Sequence, residues 1–191
     1  PFIMDSASQF RAIAPPELTT QEYTDAYNEV KTLGGDGVIT PTTRTAEQTN
    51  IGIYWAYDGT KHLGTPPRFY NQITRRISLQ EGTTVVDNAR LFAQINLAQA
   101  DAGIGSWETK YVYNYWRPVI AIREADVGTG PTGIGDSNPD TAGDATWTPL
   151  NAPASNQSGH DFTPPFPAYV SGHATFGSAA FHTVALFYGT D

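Results

Sequence analysis

Ser171-Gly172-His173 stands directly before "ATFGSAA", a run of small residues that reads as the opening of a helix. A serine at the N-cap, with the free amides of the first turn and the helix dipole behind it, makes an anion-binding end. Gly172 lets the backbone come close to a ligand. His173, in that first turn, has the type and place of a general acid or base. The plainer alternative is a serine cap beside a surface histidine. From Glu124 to Asp191 the chain has no Lys or Arg, while Glu124, Asp126, Asp136, Asp140, Asp144, Asp161 and Asp191 are acidic. An anion here must take its positive charge from earlier in the sequence, and the nearest cations are Lys110, Arg117 and Arg123. On one continuous helix, Lys110 and Arg117 would share a face with Trp107 and Asn114, two turns or about 10 Å apart. An ammonium and a planar guanidinium fork can converge on one tetrahedral oxyanion. Solvated surface charges are the alternative, but the five aromatics of "WETKYVYNYWRP" look more like a partly buried wall.

Other residues carry weaker signals. A second Ser-Gly-His at Ser158, Gly159 and His160 is followed by Asp161 and then by Thr163-Pro164-Pro165, so it reads as loop. His182 lies nine residues after His173, which on a helix is the opposite face. His62 and the acidic loop residues match neither EF-hand nor HExxH spacing, and "YVSGH" lacks the G-x-S-x-G elbow of a nucleophilic serine. No cysteine is present, which excludes disulfides and thiolate metal sites. A net charge of −8 argues against a nucleic-acid partner. No run of apolar residues is long enough for a membrane span.

These residues need elements to position them. With 39% hydrophobic and 12% aromatic residues, the 191 residues are expected to form a single, mainly α domain. Capping signals place helices at about 20–33 (Thr19 with Glu22), 45–58 (Thr45 with Gln48) and 67–81, behind Pro66 and Pro67. An apolar pattern without proline suits a long helix over 84–117, with a break plausible at Gly103 and Gly105, and Pro118 ending or kinking it. A last helix is expected over 172–188, after a Gly-, Pro- and Asp-rich loop over about 124–170. The abrupt ends, at Pro1 and in "FHTVALFYGTD", read as those of a fragment or of one chain of a cleaved protein. The acidic composition fits a secreted or periplasmic protein.

Taken together, "KYVYNYWRP" (Lys110 to Pro118) and "PFPAYVSGH" (Pro165 to His173) resemble the first two signature motifs of the vanadium-dependent haloperoxidases and the type 2 phosphatidic acid phosphatase superfamily. The first motif is a Lys, six residues and Arg-Pro; the second ends in Ser-Gly-His, and Val170 stands where a Pro is usual. "DAGIGSWETKY", "PPFPAYVSGHATFGSA", "NEVKTLG" and "TRTAEQT" are similar to the chloroperoxidase-type, bacterial secreted branch. The resemblance implies a helical bundle around an oxyanion, incomplete in this chain. It also implies vanadate as cofactor, with phosphate able to substitute, held by Lys110, Arg117, Ser171 and Gly172. His173 would be the catalytic acid or base, and Trp107 and Phe166 would line the halide pocket. The implied substrates are hydrogen peroxide and a halide or, for a phosphatase, a phosphate ester; a fragment that only binds phosphate is a third possibility. The third motif of the resemblance, with a second Arg and the His that bonds vanadium directly, has no counterpart after Arg123. No direct metal ligand is expected from these residues, and the missing motif is expected in the remainder of the same protein.

Overall fold

In a computed structural model that describes residues 1–59, 64–151 and 163–190, the regular structure is helical, with six α-helices and a short 3₁₀ helix at Tyr57–Gly59. They are α1 (Gln21–Leu33), α2 (Ala46–Trp55), α3 (Pro66–Gln80), α4 (Val85–Tyr113), α5 (Pro118–Glu124) and α6 (Gly172–Tyr188). Among the described residues the only extended pairing is one isolated bridge between Gly35 and Pro149. His62 and the second Ser-Gly-His, at 158–160, lie outside the described residues.

Helix ends follow the capping chemistry with local shifts. The Thr45–Gln48 box forms, with Gln48 N donating to Thr45 Oγ1 and Thr45 N to Gln48 Oε1. At α1 the cap is Thr20 rather than Thr19: the Thr20 hydroxyl accepts from Tyr23 N. Helix α4 runs unbroken through Gly103 and Gly105 for 29 residues, because the packed neighbours described below outweigh the cost of two glycines. It stops at Tyr113, four residues before the expected end, where Asn114 adopts the left-handed conformation (φ 47°) and its N–H closes on Lys110 O. Pro118 cannot continue a helix, yet it is well suited to the first turn of a new one. It therefore starts α5, a helix that the sequence pattern did not reveal.

The described chain divides into two compact units. The first comprises residues 1–13, 64–114 and 169–191, of which 191 is not described, and holds α3, α4 and α6. Its core is Tyr70, Leu91, Ile95, Ala180 and Val184, with Ile73, Ile77, Phe176 and Phe187 packed around it. Leu91 and Ile95 lose all solvent contact, which stabilises the unit by about 1.5–3 kcal/mol each. Gly103 allows α4 and α6 to approach closely, since a Cβ there would stand 2.9 Å from the Phe176 ring. The N-terminal segment is tied to α4 by Asp101, whose carboxylate accepts from the amides of Phe2, Ile3 and Met4, and by an Arg11–Glu108 ion pair.

The second unit comprises residues 14–63 and 115–168 and holds α1, α2 and α5. Its core is Tyr23, Tyr27, Ala121, Ile122, Ala125 and Trp147. The acidic loop after α5 is ordered by its own side chains. Asp136 accepts from Asn138 N and Thr141 Oγ1, Asp126 from Gly143 N, and Asp144 from Thr146 N. The loop is then fastened to α1, with Tyr27 Oη donating to Ala142 O (2.7 Å) and Trp147 Nε1 to Lys31 O (3.1 Å).

Candidate functional site

In the first unit the expected site residues meet on α4 and at the start of α6. Lys110, in the last turn of α4, is 2% exposed. Its Nζ donates to Val170 O at 2.5 Å and stands 5.6 Å from the centre of the Trp107 ring. The cation is thus held at the carbonyl of the residue that precedes Ser171. Ser171 is the N-cap of α6, its hydroxyl accepting from Ala174 N at 3.3 Å and its carbonyl from Thr175 N at 3.1 Å. The amides of Gly172 and His173 fall in the first turn, where a helix supplies no acceptor of its own. A Cβ on Gly172 would stand 3.3 Å from the Trp107 ring, so glycine is what lets the indole back this helix end closely. Trp107 also packs on Phe176, with ring centres 6.0 Å apart. The two rings line a cleft of about 580 Å³ with Gly103, Gln99 and Pro67.

His173 is partly buried and its Nε2 is shut off from solvent. Its carbonyl accepts from Tyr70 Oη at 2.9 Å, which fixes the first turn of α6 to α3. His182 lies on an exposed position of the same helix, in keeping with the half-turn offset.

In the second unit, Arg117 is the N-cap residue of α5, in extended conformation. Since α4 ends at Tyr113, Lys110 and Arg117 do not share a helical face, and the seven-residue spacing does not place them. The cause is local: Asn114 turns the chain out of the helix, and the residue before a proline is biased away from helical geometry. Arg117 Nε donates to Phe166 O at 2.8 Å, and the guanidinium lies 4.7 Å from the centre of the Phe166 ring. Burial draws the Arg117 pKa down, opposed by the negative charge of Asp58. The guanidinium remains charged at any ordinary pH. It borders a cleft of about 540 Å³ lined also by Glu29, Arg44, Trp147 and Thr163. Arg123, the third candidate cation, instead donates to Trp147 O at 2.8 Å and secures the loop.

Three contributors went unrecognised in the sequence: the Val170 carbonyl, Tyr70 and Asp58. None carries a local signal, because a carbonyl's aim, a buried tyrosine's bond and a carboxylate's field depend on residues distant in the chain. The residues found are donors of the kinds that recognise oxyanions: an ammonium, a guanidinium and a capped helix N-terminus. Among the described residues no cluster of three His, Asp or Glu could hold a bare cation, and no helix is long and apolar enough to cross a membrane.

The family described as the VCPO second helical-bundle domain matches residues 90–191. The chain is 44% identical over 178 residues, 88% of its length, to a vanadium chloroperoxidase from Curvularia inaequalis, and spans 27% of the length of that relative.

Proposed function

The chain belongs to the family of the VCPO second helical-bundle domain, and we propose on that premise that it forms part of a vanadate-dependent haloperoxidase, which oxidises a halide with hydrogen peroxide. The observation that carries the reading is Lys110, a deeply buried ammonium held at the carbonyl next to the Ser171 cap. Taking a cation out of water is costly, and a negative ligand offsets that cost. The donor set fits a tetrahedral oxyanion. In the first unit Lys110, Ser171 and the Gly172 amide are donors of that kind, and in the second unit the Arg117 fork is another. Vanadate, when bound, supplies a Lewis acid that polarises peroxide toward halide attack without a change of metal oxidation state. Phosphate has similar shape and charge and would occupy the same donors.

This chain's own groups then have separable tasks. Lys110 places a point charge and Arg117 a planar pair of donors on the anion. Ser171 and the first-turn amides of α6 donate along the helix dipole. Oxidation of a halide by hydrogen peroxide to hypohalous acid consumes one proton and releases water, so the site needs an acid, and His173 would hold that proton on its imidazole. Trp107 and Phe166, each set against a cation in its own unit, would each offer an apolar surface to a halide. The third motif, with its second Arg and vanadium-bonding His, belongs in this reading to the remainder of the protein, outside the 191 residues; secretion to the periplasm or medium remains part of the same proposal.

The test uses the intact protein that carries this chain. Peroxide-dependent halogenation of a phenol that requires added vanadate is the expected result. Hydrolysis of a phosphomonoester with no halogenation would replace the reading with a phosphatase of the same superfamily. Anion binding with neither turnover would leave a phosphate-binding segment only.

A further inference from the structure

In the first unit, residues 2–13 follow one face of α4. The amides of Phe2, Ile3 and Met4 close on the Asp101 carboxylate. Ala7 O and the Met4 side chain lie against Gly105, Arg11 pairs with Glu108, and Ala12 N donates to Thr109 Oγ1 at 3.5 Å. Asp101, Gly105, Thr109 and Tyr113 stand at successive i, i+4 positions, so the contacts form one stripe about three turns long. Burial of apolar side chains does not hold this segment, because Phe2, Ile3, Phe10 and Ile13 are all exposed. Its polar contacts hold it, and hydrogen bonds fix direction where apolar burial does not.

The segment ends at a pair of phenols. Tyr113 Oη donates to Ala12 O at 2.8 Å and Tyr169 Oη to Ile13 O at 3.0 Å. Two successive carbonyls are thus taken by two rings that meet edge to face, with centres 6.1 Å apart, a favourable aromatic arrangement. Tyr113 is the last residue of α4. Tyr169 directly precedes Val170, whose carbonyl accepts from Lys110 Nζ, and Ser171, the cap of α6. The short stretch from Tyr169 to Ser171 is therefore held from α4 by Lys110 and from the N-terminal segment by the Tyr169 hydroxyl.

We infer that residues 2–13 are a strap that sets the turn into α6, and that Tyr169 is the positioning residue through which it acts. The Tyr169 hydroxyl works at a distance from the anion donors, by fixing the direction of the chain at Val170 and Ser171. Donors that are already in place bind more tightly than donors that must first be ordered. Loss of this hydroxyl therefore loosens the cap and weakens oxyanion binding. The effect on binding rests on the oxyanion reading; the effect on the cap does not.

The test compares Tyr169→Phe with Tyr188→Phe in the intact protein. Tyr188 Oη meets Thr83 Oγ1 at the other end of α6 (2.6 Å), so this control loses a hydroxyl of the same kind away from the strap. Without ligand, Tyr169→Phe should speed hydrogen exchange about three- to tenfold, the range for one lost neutral hydrogen bond. The change is expected at the amides of Ala174 and Thr175, which close on Ser171. Exchange at Ile95, in the core, should not change, whereas a general loss of stability would speed both. Vanadate affinity, read by calorimetry, should fall by the same factor, and Tyr188→Phe should alter neither the cap nor the affinity. Unchanged exchange at Ala174 and Thr175, equal acceleration at Ile95, or the same effects in Tyr188→Phe would overturn the strap. Faster exchange with undiminished vanadate affinity would overturn the positioning role of Tyr169. Absence of vanadate binding in the unaltered protein would instead overturn the oxyanion reading, with exchange at the cap still deciding for or against the strap.

Discussion

Each of the two units sets one cation against one aromatic ring, and they do so by different means. Lys110 sits in the regular last turn of a 29-residue helix, packed beside Trp107 on the same helix. Arg117 sits in a helix break, at the cap of α5, and is held by the carbonyl and ring of Phe166, 49 residues further along the chain. The lysine is withdrawn from solvent by helix packing, whereas the arginine is half-buried, its pKa lowered by desolvation, with the field of Asp58 opposing. The ammonium is thus fixed by burial and by the Val170 carbonyl, and the half-buried planar fork by the Phe166 carbonyl and the ring beside it. The difference follows what each group needs: an ammonium acts from any direction, while a guanidinium is useful only when its plane is set.

The largest expected effect removes the chemistry and leaves both cations in place. His173→Ala should lower halogenation turnover at least about 100-fold, the range for loss of a general acid or base, while vanadate still binds within a few-fold of the original affinity. Steady-state rates and a binding isotherm on the same preparation check both halves. Next come the cations themselves. Lys110→Ala and Arg117→Ala should each weaken vanadate binding by about 10- to 100-fold, as expected for a lost charge-assisted hydrogen bond. Arg117→Lys sharpens the contrast, because it restores the charge but not the fork, and is expected to recover less than half of the lost binding free energy.

Smaller effects test the supports. Tyr70→Phe removes the hydroxyl that holds His173 O and should reduce turnover by a few-fold, with about 0.5–1.5 kcal/mol at stake and vanadate affinity unchanged. The smallest concerns Asp101. Burial disfavours its charge, but the amides of Phe2, Met4 and Ile3 outweigh that and hold the carboxyl below its ordinary range. Its stabilising effect is therefore complete above about pH 4 and lost as pH falls through the lowered pKa. Asp101→Asn should lower Tm at neutral pH by a few degrees, and the gap between the two proteins should close in acid.

The same contrast explains what could be read from the sequence. Helix α6 and its Ser171 cap were legible in full, because capping chemistry and a small-residue run are local properties. The Lys110–Trp107 pair was legible for the same reason, being one turn of one helix. The position of Arg117 was not. Projecting a helix through Tyr113 put it on the wrong geometry, since the left-handed turn at Asn114 and the restart at Pro118 compete with a periodicity that looks continuous. Helix α5 was hidden by its β-branched residues and its proline, although that proline is what begins it. The partners of Arg117 also come from elsewhere in the chain, and nothing in "NYWRP" indicates that Phe166 and Asp58 will be near it.

The most direct test of the account is a calorimetric titration of the intact protein with orthovanadate, repeated for Lys110→Ala and Arg117→Ala. One vanadate per protein is expected, displaced by phosphate, with its affinity lowered at least tenfold in both variants. Affinity unchanged in either variant would contradict the assignment of that cation to the oxyanion.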